Sequence, residues 1–543
     1  MVTLLHLTIS GLLILWLVPF LWQHIRQKRR FVFIRPGQIL LLPVLLVMVA
    51  SGVWLTIAGQ QQQNAWFHTL AGVVLILLLL WHAQSVLGTI FTKWLLWGLA
   101  LLMLLALGAT WLENEARPQS VLAQQYAQTP VRLLGPLPPY NADTMSPDRC
   151  AECHAEIANE WQQSLHSVAD VELIYSRVVS QFRREHGIEA SNYCAGCHSP
   201  LRMARGQLDR NIAQADQANV DCLVCHSIQT IHQPVGNNYA DLKVWQTNSY
   251  DWRWPQSVAD RFLLMQPEAH KAQWNGPIMQ ESLLCGSCHR QILPASLSGG
   301  PEDLVLQDTF AEWQNSIYNN DDVTERRTCQ DCHMSTTEGS GTKYSHLFAG
   351  VNTDVAQIMG FHDLHPAQQA LMEKAATLEV TADGCEQGNI NLLITVTNSG
   401  TGHNLPTGVT DLRQIWLEVT AVNEQNAIVF QAGNINQAGV LDPQATIFHA
   451  VLGDKHGQPV YFHDIMRARQ ILADTTIPPK ASHQSNYQIP ALENQTLNIT
   501  AKLQYRLIPQ NFVNYYMAAN LRFRVITMNS ESLQIDVPKI CSN

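Results

Sequence analysis

Cys150-Ala151-Glu152-Cys153-His154 opens a series. The same Cys-x-x-Cys-His spacing returns as Cys194-Ala195-Gly196-Cys197-His198, Cys222-Leu223-Val224-Cys225-His226, Cys285-Gly286-Ser287-Cys288-His289 and Cys329-Gln330-Asp331-Cys332-His333. It is the attachment signature of c-type haem. Two thiols add to the haem vinyl groups, and the imidazole that follows ligates the iron. Zinc ribbons also pair Cys-x-x-Cys units but rarely set a histidine directly after each one. Ten of the 12 cysteines are used in this way. The pattern predicts five covalently bound c-type haems, with His154, His198, His226, His289 and His333 as proximal ligands.

Around this stretch the composition is uneven. At 543 residues the chain is too long for one core. Charged residues make up 14% and hydrophobic ones 46%. The first 112 residues are very apolar and the rest is polar. A net charge of −10 argues against nucleic acid and fits a polar part that meets small or basic partners. Cys385 and Cys541 fall outside every haem motif. As a disulfide they would close a loop of about 156 residues and stabilise by a few kcal/mol. The alternative is two buried thiols; an oxidising compartment favours the bond.

Upstream, four apolar runs, Leu4–Trp22, Ile39–Ala58, Phe67–Phe91 and Trp94–Trp111, each approach the ~20 residues that cross a bilayer. They predict a transmembrane four-helix domain over residues 1–112. The first run has no basic residues before it, unlike a cleavable signal peptide. Arg26, Lys28, Arg29, Arg30, Arg35 and Lys93 bias two loops toward the cytoplasm. The haem motifs then lie on the outer face of a bacterial inner membrane, in the periplasm. His6, His24, His68 and His82 sit in these runs and are functional candidates. Helical spacing puts His6 and His24 on one face, and His68 and His82 within about 40° of each other. That arrangement suits b haems, and the sequence leaves two, one or none open. Phe67-His68-x-x-x-Gly72 with Trp81-His82 resembles a helix of quinone-linked diheme cytochromes b. The resemblance implies quinone or quinol as a partner.

Residues 113–146 are rich in proline and read as an extended linker. A pentahaem domain follows over 147–370, mostly helical or irregular, because haems supply its core. His166, His186, His232, His270, His346, His362, His365 and His403 are candidate distal ligands; for each, a solvated surface histidine is the alternative. Glu160-Trp161-Gln-Gln-Ser164-Leu-His166 and Glu312-Trp313-Gln-Asn-Ser316-Ile-Tyr318 look like an internal repeat. These segments, with Val220-Asp221-Cys222, His333-Met334 and His346-Leu-Phe348-Ala-Gly350, resemble the multihaem cytochromes c. That superfamily includes the tetrahaem electron acceptor of hydroxylamine oxidoreductase and octahaem tetrathionate reductase. The resemblance implies His166 and His346 as distal ligands. Tyr318 stands where the repeat would place a second histidine. Either another histidine replaces it, or one haem has an open distal side near Tyr318 that could take a small oxyanion or nitrogen oxide.

From residue 375 to 543, alternating and β-branched runs separated by turns suggest a β-sandwich. The runs are Thr377–Thr381, Ile390–Thr397, Ile415–Val422, Ala427–Gln431, Leu497–Arg506, Leu521–Met528 and Leu533–Val537. Gly402-His403-Asn404-Leu405-Pro406-Thr407-Gly408 again resembles the multihaem families.

Three function classes remain. The first is a membrane-anchored carrier moving electrons between quinol and a periplasmic redox protein or reductase. The second is a reductase of nitrogen or sulfur oxyanions with one open haem. The third is a non-catalytic subunit of a larger respiratory complex, with an oligomer also open.

Overall fold

In a computed structural model, the described residues are 150–204, 219–243, 267–322, 324–335, 344–361 and 365–537 without 492–494 and 518–519. Short pieces at 131–133, at 207–208 and between 43 and 78 are also described. The chain divides into two compact units, Met1–Gln119 with Trp245–Gly276, and Ser120–Val244 with Pro277–Asn543.

The first unit corrects an expectation. Among the described residues no helix is long and apolar enough to cross a membrane, so the transmembrane four-helix bundle is overturned. Helical positions are described at Pro43, Val44, Leu46, Val47, Val49 and Ala50, and at Ala71, Gly72, Val74, Leu75 and Leu78. Inner-membrane placement rested on the same runs and falls with the bundle. His6, His24, His68 and His82, and with them the b haems, lie outside the described residues. The helix Pro267–Trp274, which carries His270, also belongs to this unit.

In the second unit, the haem-motif region is built from short helices. Each Cys-x-x-Cys-His segment makes about one helical turn. Residues i, i+3 and i+4 share a face of such a turn, so both thiols and the imidazole point the same way. The amide of His154 donates to Cys150 O at 2.8 Å and that of His289 to Cys285 O at 2.9 Å, closing two of these turns. Asp221 caps Cys222–His226 by accepting from the Val224 amide. Thr328 and Asp331 form a reciprocal capping box at Cys329–His333. Capping is needed because so short a helix has few internal bonds. Gly286 cannot carry a side chain, since a Cβ there would stand 2.4 Å from the Phe310 ring.

From Thr377 onward the same unit is β-rich. Thr377–Glu386, Asn389–Thr397 and Ser482–Pro490 form an antiparallel sheet with Asn389–Thr397 in the middle. Gln414–Val422, Ile428–Ala432, Ile447–Phe448, Thr496–Arg506 and Ile526–Asp536 form a five-stranded sheet. Period-two alternation turns Ile390, Leu392, Ile394 and Val396 inward, where they share one core with Leu417, Val419, Leu497 and Ile499. Two antiparallel sheets over one core make a sandwich. Leu165, Ile174 and Val178 of the haem-motif region pack on that core. The sandwich is thereby seated against the helix Leu173–His186.

The strands differ from expectation in several places, among them Ile447–Phe448, Ala450–Gly453 and Gln470–Asp474, which no expected run covers. Leu521–Met528 and Leu533–Val537 read as two strands, but Ile526–Asp536 is one, running through the polar Asn529-Ser530-Glu531-Ser532. Ser482–Pro490 has no apolar run to announce it; its inward positions are Ser485 and Ile489.

Candidate haem sites

Two of the motif histidines share a local geometry. His198 Nδ1–H donates to Ala169 O at 2.8 Å, and His333 Nδ1–H to Ala349 O at 2.8 Å. Two other histidines do the same, His346 to Tyr344 O at 3.2 Å and His403 to Asn404 O at 2.9 Å. A backbone carbonyl on Nδ1 fixes the tautomer and leaves the Nε2 lone pair for a metal. Burial, with His289 and His198 nearby, lowers His166 to about 3. Burial first, then His333 and His198, lowers His289 to about 4. Burial likewise brings His403 to about 4 and lowers His198 and His346. These imidazoles are held neutral, the form that binds iron. The residues fit haem: paired thiols on one face, and oriented, unprotonated imidazoles beside them.

Three motif histidines face a second imidazole. The His226 and His346 ring centres are 6.4 Å apart with planes 16° from parallel. For His333 and His403 the values are 6.3 Å and 18°. For His289 and His166 they are 6.2 Å and 86°. His166 therefore meets the fourth motif, although in sequence it follows the first.

The motifs themselves lie in contact. Cys197 Sγ lies 3.9 Å from Cys288 O, and the Cys150 and Cys222 thiols, like those of Cys285 and Cys329, lie close enough to interact. The fourth motif thus touches the second and the fifth, and the first touches the third.

The Glu-Trp-x-x-Ser repeat is structural. Trp161 Nε1–H donates to Val220 O at 2.9 Å, and Trp313 Nε1–H to Arg327 O at 2.8 Å. Ser164 and Ser316 each donate back to the carbonyl of their tryptophan. Glu160 accepts the amide of His346, and Glu312 that of Asn404. Tyr318, where the repeat loses its histidine, packs beside Gly402 with Lys480 Nζ 5.5 Å above its ring.

Other expected ligands are placed differently. His232 Nε2 lies 3.0 Å from Asp241 Oδ1 and is half exposed. His186 is tilted against Phe182 and lines a cavity with His198. His365 begins the helix His365–Ala375, and His362 lies outside the described residues. The ten motif cysteines are free of disulfides, whereas Cys385 is disulfide-bonded. Cys541, its expected partner, lies outside the described residues.

Sequence reasoning missed His463. It lines the same cavity of about 490 Å³ as Cys194, Cys197 and His198. Its Nδ1 stands 3.1 Å from both carboxylate oxygens of Asp411. The signal available was an aromatic-aromatic-His-Asp turn, Tyr461-Phe462-His463-Asp464, which has no haem motif near it in sequence.

Residues 149–227 match the family model for cytochrome c554 and c-prime. A penta-heme cytochrome c552 from Thermochromatium tepidum has a similar structure, with a TM-score of 0.52 and 20% identity; the match covers 73% of this chain and 100% of that one. The chain has the fold of a multihaem cytochrome c. The two matches support covalently bound c-type haem. None of the curated proteins matches the chain.

Proposed function

We propose that this multihaem cytochrome c is an electron-transfer protein that carries five c-type haems and exchanges electrons with a redox protein partner. The observation that carries this reading is the set of imidazole pairs at 6.2, 6.3 and 6.4 Å. An imidazole nitrogen binds a metal at about 2 Å, and its ring centre lies about 1 Å behind. Two axial imidazoles therefore stand about 6 Å apart, centre to centre. His226 with His346, His333 with His403, and His289 with His166 match that spacing.

Bound haem supplies one-electron ferric–ferrous cycling. The chain's part is to fix both axial positions, bury them and keep them neutral. An iron with two protein imidazoles has no vacancy for substrate, which suits a carrier better than a catalyst. The thiol contacts between motifs support short distances from one site to the next. His403 supplies at the fifth motif an imidazole that Tyr318 does not. The net charge of −10 favours a partner with a basic docking face.

Intact-mass measurement with a pyridine haemochrome spectrum tests the reading. Five added haems with c-type spectra, fully reducible and reoxidisable, are expected. Fewer than three haems, or haems that do not exchange electrons with an added cytochrome, would sink it.

A further inference from the structure

The cavity lined by Cys194, Cys197 and His198 has a closed end and an open one. At the closed end Ala195 and Ser199 are fully buried, and Cys197 Sγ lies against Cys288 O. At the open end Tyr461 and Tyr515 line the cavity and are 68% and 56% exposed. Tyr461 is the most exposed large hydrophobic side chain among the described residues. The open end is preformed by three elements. Phe462 stacks on Tyr515 at 4.7 Å and 10°, and Tyr515 meets Tyr516 edge-on at 4.8 Å. These contacts join the Tyr461–Asp464 turn to the helix Gln510–Tyr516. Gln181 Nε2–H donates to the Tyr515 hydroxyl at 3.3 Å, adding the helix Leu173–His186. Phe462 and His463 adopt left-handed backbone, with φ of 63° and 57°. Non-glycine residues keep that conformation only where their surroundings hold it, so the turn is a fixed surface.

Charge selects the occupant. Glu185 and Asp464 line the open end together with Arg467 and His186. Arg467 Nη2 already faces Asp454 Oδ2 at 3.7 Å, and His186 Nε2 faces Glu185 Oε2 at 3.9 Å. A haem bonded to Cys194 and Cys197 through its vinyl groups carries two propionates on the opposite edge of the ring. Anionic groups therefore outnumber cationic ones. Exposed tyrosines within a charged rim are the make-up of a protein docking site.

We infer that this open end is the docking surface for a redox protein whose own cofactor edge is ringed by Lys and Arg, with Tyr461 and Tyr515 as its apolar centre and Glu185 and Asp464 as its acidic rim. The inference rests on the electron-transfer reading and names where the partner sits. One electron passes between the partner's cofactor and the haem at Cys194 and Cys197; one is oxidised as the other is reduced, and no bond or proton changes hands. The first and fifth motifs are the rival ports, since Cys153 and Cys332 are exposed.

The test uses the full-length haem-loaded protein and a basic monohaem cytochrome c as the probe. Carbodiimide cross-linking of the wild-type pair, read by peptide mass, is expected to join probe lysines to Glu185 or Asp464. Stopped-flow electron exchange at low salt is expected to slow about tenfold in the double variant Glu185→Lys, Asp464→Lys, because rim charges set association rates. That difference should fade at high salt. Tyr461→Ala is expected to slow exchange about fivefold at high salt as well. Glu156→Lys, just after the first motif, and Glu325→Lys, just before the fifth, keep the wild-type rate. Cross-links at Glu156 or Glu325 in place of Glu185 and Asp464 would overturn the inference. So would a double variant that exchanges electrons as fast as wild type. Cross-linking needs no substitution, so it decides the matter if the double variant loses haem. Wild-type protein that exchanges no electrons with the probe counts against the electron-transfer reading itself, whereas exchange at another port counts against this surface alone.

Discussion

Glu160 accepts the main-chain amide of His346 at 2.7 Å, across 186 residues of sequence. Glu312, its counterpart in the repeat, accepts the amide of Asn404 at 3.0 Å and the hydroxyl of Thr407 at 2.6 Å. In each case a carboxylate seats the loop that bears a proposed axial histidine, His346 or His403. What the repeat duplicates is this loop anchor, and it persists where the histidine itself has become Tyr318. Glu160→Ala and Glu312→Ala are each expected to cost about 1–3 kcal/mol, because a buried amide loses its acceptor. Each should also convert a fraction of one low-spin haem to high spin. Glutamine, which keeps an acceptor oxygen, should restore most of both. Thermal unfolding and paramagnetic resonance of the alanine and glutamine variants check this; equal effects of the two would reject the anchor.

Glu312 adds a pH dependence. Burial, its largest influence, raises the carboxyl from 4.5 to about 7, while the bonds from Thr407 and Asn404 lower it. The folded value lies above the unfolded one. The unfolded chain therefore ionises first, and stability present below pH ~4.5 is lost as pH rises through about 7. Glu312→Gln, with no proton to lose, is expected to flatten this part of a stability-against-pH curve measured in denaturant. A wild-type curve that rises between pH 5 and 7 in parallel with the variant's would count against the assignment.

The three imidazole pairs differ in plane angle, and that difference is measurable. Near-parallel planes at His226–His346 and His333–His403 split the iron orbitals and predict ordinary rhombic low-spin signals. The crossed planes of His289–His166 leave those orbitals almost degenerate and predict one strongly anisotropic signal, since the axial ligands set the electronic state. His166→Ala should remove only the anisotropic signal. His346→Ala or His403→Ala should each remove one rhombic signal. Loss of a rhombic signal in His166→Ala would break the pairing.

Arg202 and Asp170 form a buried ion pair at 2.6 Å, with 1% and 2% of their side chains exposed. Arg202 Nε also donates to Gln207 O, and Asp170 lies in the loop whose Ala169 carbonyl holds His198. Removing one partner leaves an uncompensated buried charge, a loss of about 3–5 kcal/mol. Arg202→Met is expected to lower the unfolding midpoint accordingly and to disturb the Cys194–His198 haem before the others. Asp170→Asn with Arg202→Met together should recover part of the loss. Additive losses in the double variant would show that the two side chains do not act as a pair.

Haem attachment was legible because its chemistry is local: five residues in one helical turn carry both thiols and the proximal ligand. The β-rich region was legible wherever alternation was apolar, as at Ile390, Leu392, Ile394 and Val396. Distal ligation is not local. His166 follows the first motif yet meets His289, and His403 comes from a loop of the β-rich region to meet His333. Spacing along the chain carries no information about such partners. His463 is the extreme case, because it joins the cavity lined by Cys194, Cys197 and His198 from 265 residues further along the chain. The membrane reading of the apolar runs before residue 112 rested on hydropathy and length alone, which do not by themselves fix a spanning helix.

Cys385 provides a test of the β-rich region alone. It lies where Thr377–Glu386 bulges against Asn389–Thr397, between Ala382 and Cys385, and it is disulfide-bonded. A bulge weakens the ladder locally, so a covalent tie at that point has more to hold than one in a regular strand. Because the ten motif cysteines are free of disulfides, Cys541 is the partner that peptide mapping without reductant should recover. A link joining the start and end of the β-rich region closes a long loop and restricts the unfolded chain, an effect of about 2–5 kcal/mol. Cys385→Ala is therefore expected to lower the unfolding midpoint while leaving all five haems attached. Loss of haem in that variant would instead tie the disulfide to the folding of the haem-motif region, through the shared core at Leu165, Ile174 and Val178.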